Sequence, residues 1–407
     1  MATLHPFRAL RPRPEQAAAV AAVPYDVVSA AEARALAADD PLSFLRVSRP
    51  EIELPTDTDP YSDAVYEAAV RNFARLRAAA PLVEEATPSA YVYRLRMGAH
   101  EQSGVAACFS VDEYEGDIIR KHERTRKDKE DDRTRHIIDL RAQTGPVFLT
   151  YPASAEVDQG VARGVADPPL FDFTAADAVQ HTVWRVDDTV CDALVAAFAR
   201  VPLLYIADGH HRAASAMRAR QALRDRTPGE GATEADTFLA VAFPHDQTQI
   251  LPYHRVVKDL AGRTPTGLLD ALAGRVGIAP GGDTPGGPGE VAMYLAGQWY
   301  TLHLAPAAPG TPAADRLDVS LLHEQVLGPL LGVGDPRTDK RIDFIGGIRG
   351  PRALAERVDA GGAAVAFAMH PVSVEDLMRI ADSGGIMPPK STWFEPKLRD
   401  GLLSHLI

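Results

Sequence analysis

The sequence predicts an α/β (α+β) protein built on a mixed sheet. Three observations predict it. Short apolar runs of strand length alternate with stretches of helical period. One run, 203–207, is followed by Asp208-Gly209 and then by helix-forming residues 211–223, a strand–turn–helix unit. The third is size: 407 residues with 46% apolar side chains bury a large interior and exceed one ordinary domain.

Taken in order, Pro24-Tyr25-Asp26-Val27-Val28 is an extended piece leading into a helix over 30–38. Ser29 is its N-cap, and Glu32 completes a capping box. A second helix spans 62–79, where Val65, Ala69, Phe73 and Leu76 share a face. Strands follow at 90–96 and 103–111. The charged run 119–136 reads as a loop entering a helix that continues to 142, with Gly145-Pro146 as the breaker. Strands at 147–151 and 180–186 precede a helix at 188–199, and 237–243 is a further strand. Residues 262–316, rich in Gly, Pro and Ala, are expected to be peripheral with loose loops. An amphipathic helix at 317–331, a strand at 363–369 and a helix at 374–383 capped by Ser373 complete the pattern. The expected organisation is an α/β core over 1–258 and a C-terminal α/β part over 259–407 packed onto it. Residues 387–407, dense in Pro, Lys and aromatics, are expected to return to the active site.

Composition narrows the function. A net charge of −12 argues against nucleic acid as a partner of the whole surface. Cys108 and Cys191 match no zinc spacing and read as small core residues in a reducing compartment. The N-terminus lacks the basic start and apolar run of a signal peptide. No stretch approaches the roughly 18 to 20 apolar residues that cross a bilayer. A cytoplasmic location without a membrane partner is expected. Abundant Ala, Arg, Gly and Pro with few Lys fit a GC-rich bacterial genome.

Chemistry concentrates in Asp208-Gly209-His210-His211-Arg212, at the carboxyl end of an apolar strand, where α/β sheets bind ligands. Gly209 lets backbone approach a ligand, the following helix start holds an anion, and Arg212 forks onto phosphate. The bland alternative is a capped helix with two surface histidines. A zinc site is disfavoured, because the helical i, i+4 histidine pair is missing. The run Arg120-Lys121-His122-Glu123-Arg124-Thr125-Arg126-Lys127 carries five cations. It reads either as a solvated face, which Glu130-Asp131-Asp132 would neutralise, or as an anion-binding loop using His122 with Glu123 as acid/base. In Met387-Pro388-Pro389-Lys390-Ser391-Thr392-Trp393-Phe394-Glu395-Pro396-Lys397, Lys390 and Lys397 reach for phosphate, or else belong to a docked tail with solvent lysines.

These motifs in this order resemble the family called domain of unknown function 1015. They are His122-Glu123-Arg124-Thr125, Asp132-Arg133, Ala207 to Arg212 and Met387 to Thr392 with Pro396-Lys397, together with Pro24-Tyr25-Asp26-Val27 and Leu251-Pro252-Tyr253-His254-Arg255. The Pro24 element departs from relatives that carry a second proline there. More distantly, Asp208 to Arg212 followed by Ala213-Ala214-Ser215-Ala216 is similar to the Gly-x-x-Arg box of the ParB/sulfiredoxin superfamily. That superfamily includes CTP-binding partition proteins, ATP-using sulfiredoxins and free-serine kinases. The resemblance implies a ParB/sulfiredoxin-like core with phosphate contacts at Gly209 and Arg212. His211 matches a box histidine, and His210 replaces the reactive cysteine of sulfiredoxin.

The expected function is a nucleotide-dependent phosphotransferase, a kinase acting on a small hydroxyl compound, with free L-serine as first choice. ATP, or ADP or CTP, and Mg²⁺ are the expected cofactors. Glu123, Asp208, His211 and Asp26 are the candidate catalytic residues, with Glu123 preferred as base. Gly209, His210, Arg212, His122, Lys390 and Lys397 are the candidate nucleotide contacts, and Asp208 the Mg²⁺ ligand. Homo-oligomerisation is an option. The alternatives are a nucleotide-gated ParB-like regulator, against which the lack of a helix-turn-helix speaks, and a hydrolase or another transferase using the same pocket.

Overall fold

The computed structural model describes residues 1–79, 82–226, 231 and 233–407. It is α/β, with mixed sheets, and divides into two compact units: Met1–Thr248 with Pro396–Ile407, and Gln249–Glu395. The division falls before the strand Tyr253–Val257 rather than at 258. That strand pairs with Ile342–Gly346 and Val365–Met369, so its backbone bonds commit it to the second unit.

The main sheet of the first unit runs in the order Ile119–Arg120, Leu204–Asp208, Val147–Tyr151, Thr237–Pro244, His100–Ser110, Tyr91–Met97, Val179–Arg185, Phe171–Thr174. Leu204–Asp208 is parallel to Ile119–Arg120, and Thr237–Pro244 is parallel to Val147–Tyr151; the other pairs are antiparallel. Central strands read as unbroken apolar runs because both faces are covered. Val105, Phe109, Leu149, Leu204, Ile206 and Ala240 form one core with Leu194 and Phe198 of the Asp188–Phe198 helix and Ala213 of the His210–Arg226 helix. A second core gathers Leu10, Val20, Phe44, Phe73 and Leu76. A smaller sheet, Val83–Glu84, Ala9–Arg11, Ser404–Leu406, Ala142–Gln143, takes in the end of the chain.

Most of the expected elements form at the expected places. Ser29 and Glu32 make the reciprocal capping box of the Ala30–Ala37 helix. Three places differ. The charged helix Lys127–Leu140 stops at Arg141, which adopts a left-handed φ of 53°, and Ala142–Gln143 leaves as a strand. The 317–331 segment is helical but contains a π turn over His323–Leu327. Residues 262–316 are not merely loose. They contain the Pro265–Ala273 helix and the strands Gly277–Pro280, Glu290–Leu295 and Gln298–His303 of the second unit's antiparallel sheet. Glu290–Leu295 pairs on both sides, and Val291, Ala292 and Met293 are buried. The glycine cluster from Gly281 to Gly289 lies in the loop between strands and did not cancel the strand pattern beside it.

Candidate functional site

The Leu204–Asp208 strand is held by Ile119–Arg120 on one edge and Val147–Tyr151 on the other, which delivers Asp208 to the sheet's end. Gly209 then turns the chain with φ 95°, and the seventeen-residue helix His210–Arg226 begins at once. A Cβ on Gly209 would stand 3.1 Å from the Arg212 Nε and Cζ, so both conformation and space demand glycine.

Arg212 is the node of the turn. It is buried, and its guanidinium donates to the Pro146 carbonyl and, at 2.8 Å, to Asp208; Asp26 stands 3.7 Å away. Burial alone would depress its pKa, but Asp26, Asp208 and Asp400 hold it above the ordinary arginine value. Lys397 reaches Asp208 from the C-terminal segment at 3.5 Å. Burial disfavours the Asp208 charge, yet Lys397 and Arg212 keep its carboxyl well below the usual carboxylate range. Asp26, by contrast, is exposed and accepts no side-chain hydrogen bond among the described residues.

His122 and His210 are packed edge to face with ring centroids 4.4 Å apart, and both are buried. Burial pushes His122 down to about 3 and His210 well below its ordinary value, so both are neutral imidazoles at pH 7. His210 Nε2 accepts the His122 N–H at 3.4 Å, and its Nδ1 lies 3.8 Å from the Glu123 carboxylate. His211 Nε2 accepts the Arg126 N–H at 3.0 Å. Together the two histidines of the turn staple the charged loop to the helix start.

The charged run resolves into two parts. Glu130 and Asp131 pair with Arg218 of the turn's helix, and Lys127 pairs with Asp131, which makes that half a salt-bridged helix face. Asp132 and Arg133 do something else. Tyr66 donates to Asp132 at 2.9 Å, Arg133 binds Asp132 at 2.8 Å, and the Arg133 guanidinium lies 4.4 Å from the centroid of the Tyr25 ring. This stack fixes the Pro24-Tyr25-Asp26 piece and therefore aims Asp26.

Sequence reasoning missed Asp400. It is buried beside a cavity of about 40 Å³ that Tyr25, Ser48, Arg133, Gln143 and Arg212 also line. Burial pushes its carboxyl up to about 7, against the pull of Arg212. No motif marked it, since a lone aspartate in a tail carries no periodic signal.

Asp26, His122, Glu123, Asp208 to Arg212 and Lys397 thus meet within the first unit. Lys390 and His254 belong to the second, where His254 is buried and its Nδ1 accepts the Met369 N–H at 3.1 Å. Asp208, the expected Mg²⁺ ligand, is paired with Arg212 and Lys397, and among the described residues no group of three or more His, Cys, Asp or Glu side chains is placed to hold a metal.

A family model matches residues 4–320, most of the chain. The chain belongs to the family described as "Protein of unknown function (DUF1015)". Nothing among curated proteins matches this DUF1015 chain. Among solved structures it is similar to a free serine kinase in complex with AMP, with 13% identity over 74% of this chain and 91% of that one, at a TM-score of 0.33. A conserved hypothetical protein from Pyrococcus furiosus gives 14%, 74%, 95% and 0.34. SbnI with a C-terminal truncation, from Staphylococcus aureus, gives 13%, 74%, 87% and 0.39. No helix among the described residues is long and apolar enough to cross a membrane.

Proposed function

We propose that this DUF1015 protein is a nucleotide-dependent phosphotransferase that acts on a small hydroxyl compound. The observation that carries this reading is the Asp208-Gly209-His210 turn. A positive-φ glycine opens a long helix, with Lys397 on one carboxylate beside it and Asp26 and Glu123 close by. A helix start attracts phosphate through its N–H groups and dipole, and a lysine adds a point charge. Phosphoryl transfer asks mainly for such placement and neutralisation.

In this mechanism the nucleotide's terminal phosphate rests against Gly209 and the helix start, and Lys397 balances its charge. Arg212 acts as a positioning residue. Its guanidinium is already engaged, so it orients Asp208 and Asp26 rather than clamping the ligand. The acceptor oxygen bonds to phosphorus, the bond to the nucleoside diphosphate breaks, and the hydroxyl proton passes to a carboxylate. Asp26 takes this role in place of Glu123, because its oxygens accept no side-chain hydrogen bond among the described residues and lie 3.7 Å from Arg212 of the turn, whereas Glu123 lies against His210. Free L-serine is the acceptor to test first, following the resemblance of the turn to the free-serine-kinase box.

A thermal-shift series with ATP, ADP, CTP and GTP, followed by ³¹P NMR of an amino-acid mixture, tests the reading. A nucleotide at 100 times its Kd stabilises by about 2.7 kcal/mol. Asp26→Asn should keep that shift and lose about 10² in turnover, the scale of acid/base loss. Normal turnover in Asp26→Asn with loss in Glu123→Gln would return the base role to Glu123. No shift with any nucleotide would refute the phosphate site.

A further inference from the structure

The second unit holds a buried cation that nothing in the phosphotransfer site uses. Arg255 lies in the Tyr253–Val257 strand, which is paired on both edges, and is only 3% exposed. Its guanidinium donates to two carbonyls, Tyr253 at 2.7 Å and Lys390 at 3.3 Å, and lies 5.5 Å from the centroid of the Phe344 ring. Among the described residues no carboxylate pairs with it. Burial, unopposed by any acid, drags its pKa down to about 10. A buried charge without a counter-charge is among the costliest features a fold can carry, and two carbonyl dipoles only partly offset it.

A second cation stands on the same aromatic wall. The ammonium of Lys390 lies 5.3 Å from the centroid of the Tyr253 ring, which packs edge-on against Trp393 at 4.9 Å. Lys390 is exposed, forms no ion pair among the described residues, and adopts a left-handed φ of 54° that favours glycine. Ser391 Oγ donates to the Pro388 carbonyl at 2.7 Å and closes the turn that carries it. The acid of this segment, Glu395, accepts from Trp393 Nε1 at 2.6 Å. Strained backbone held by a side-chain bond, presenting a lysine next to an unneutralised arginine, is the arrangement expected where function sets the conformation.

We infer that Arg255 and Lys390 form an oxyanion site in the second unit, for the phosphate of a nucleotide or of a phosphorylated small molecule. The guanidinium supplies a fixed charge through the N–H groups that its two carbonyl bonds leave over, Lys390 a second charge, and Tyr253 with Trp393 an apolar wall for whatever the phosphate carries.

The test is calorimetric titration of the full chain with inorganic phosphate at constant ionic strength, in a Lys397→Met background that weakens the first unit's site. Lys390→Met, a change at an exposed position, should weaken phosphate binding about tenfold, and Arg255→Met should abolish it. Competition by ADP and by phosphoserine then separates the two sources: Lys390-dependent displacement by either supports the site and names its ligand. No saturable phosphate binding, or the same affinity with and without Lys390, overturns it. An Arg255→Met protein that is less stable but binds phosphate unchanged shows a purely structural arginine and overturns it as well. Nucleotide turnover, read separately on the parent and on Asp26→Asn, reports on the phosphotransfer proposal, so the two fail independently.

Discussion

Gly209 and Arg212 are one device. The glycine turns with φ 95° beside the guanidinium of Arg212, so a side chain added at 209 would press on it. Gly209→Ala should destabilise the first unit by about 1 to 2 kcal/mol from the left-handed conformation alone, and should also displace Arg212. Urea unfolding measures the first effect and nucleotide titration the second. Arg212→Ala should cost about 3 kcal/mol or more, the scale for breaking a buried pair. It should also misplace Asp26, so that turnover falls more than nucleotide affinity. An equal fall in both would make Arg212 a ligand contact instead. The need for Gly209 was legible in Asp-Gly-His-His-Arg, where Arg212 reads as a phosphate contact. The direction Arg212 points was not, since residue type says nothing about which acceptor lies nearest.

At the scale of elements, the charged run shows how one stretch serves two purposes. Its salt-bridged half follows from alternating charge at helical spacing. The stack of Arg133 on Tyr25 joins residues more than a hundred positions apart and leaves no local trace. The C-terminal segment behaves similarly. Lys397 stood out by composition, but Asp400, which faces Arg212, Asp26 and Arg133, did not. Its carboxyl takes up a proton on folding in the window between about 4, the unfolded value, and about 7. The stability this contributes is complete below that window and is lost as pH rises through it. Asp400→Asn should therefore flatten the fall in urea midpoint between pH 5 and pH 8 and be the more stable protein at pH 8. A parent whose midpoint does not fall over that range would contradict the assignment.

At the scale of the molecule, the chain leaves its first unit at Thr248 and re-enters it at Pro396. The last strand, Ser404–Leu406, lies between Ala9–Arg11 and Ala142–Gln143, so the end of the chain closes a sheet begun near its start. A chain ending at Glu395 should lose this strand together with Lys397 and Asp400. Its thermal midpoint should fall, and protease should open the first unit sooner than in the full chain. An unchanged midpoint would mean that the strand adds nothing to the unit.

The class, the places of most helices and strands, the turn at Asp208 to Arg212 and the family could be read from the residues in order. Those are written in local periodicity, caps and contiguous motifs. The folded chain was needed to see that 262–316 contributes paired strands, that Asp26 and Asp208 share one arginine, that His122 and His210 are buried and neutral, and that Arg255 pairs with no carboxylate among the described residues. Each of these depends on which distant groups face one another once water is excluded, and burial changes the energy of a charge far more than its neighbours in sequence do.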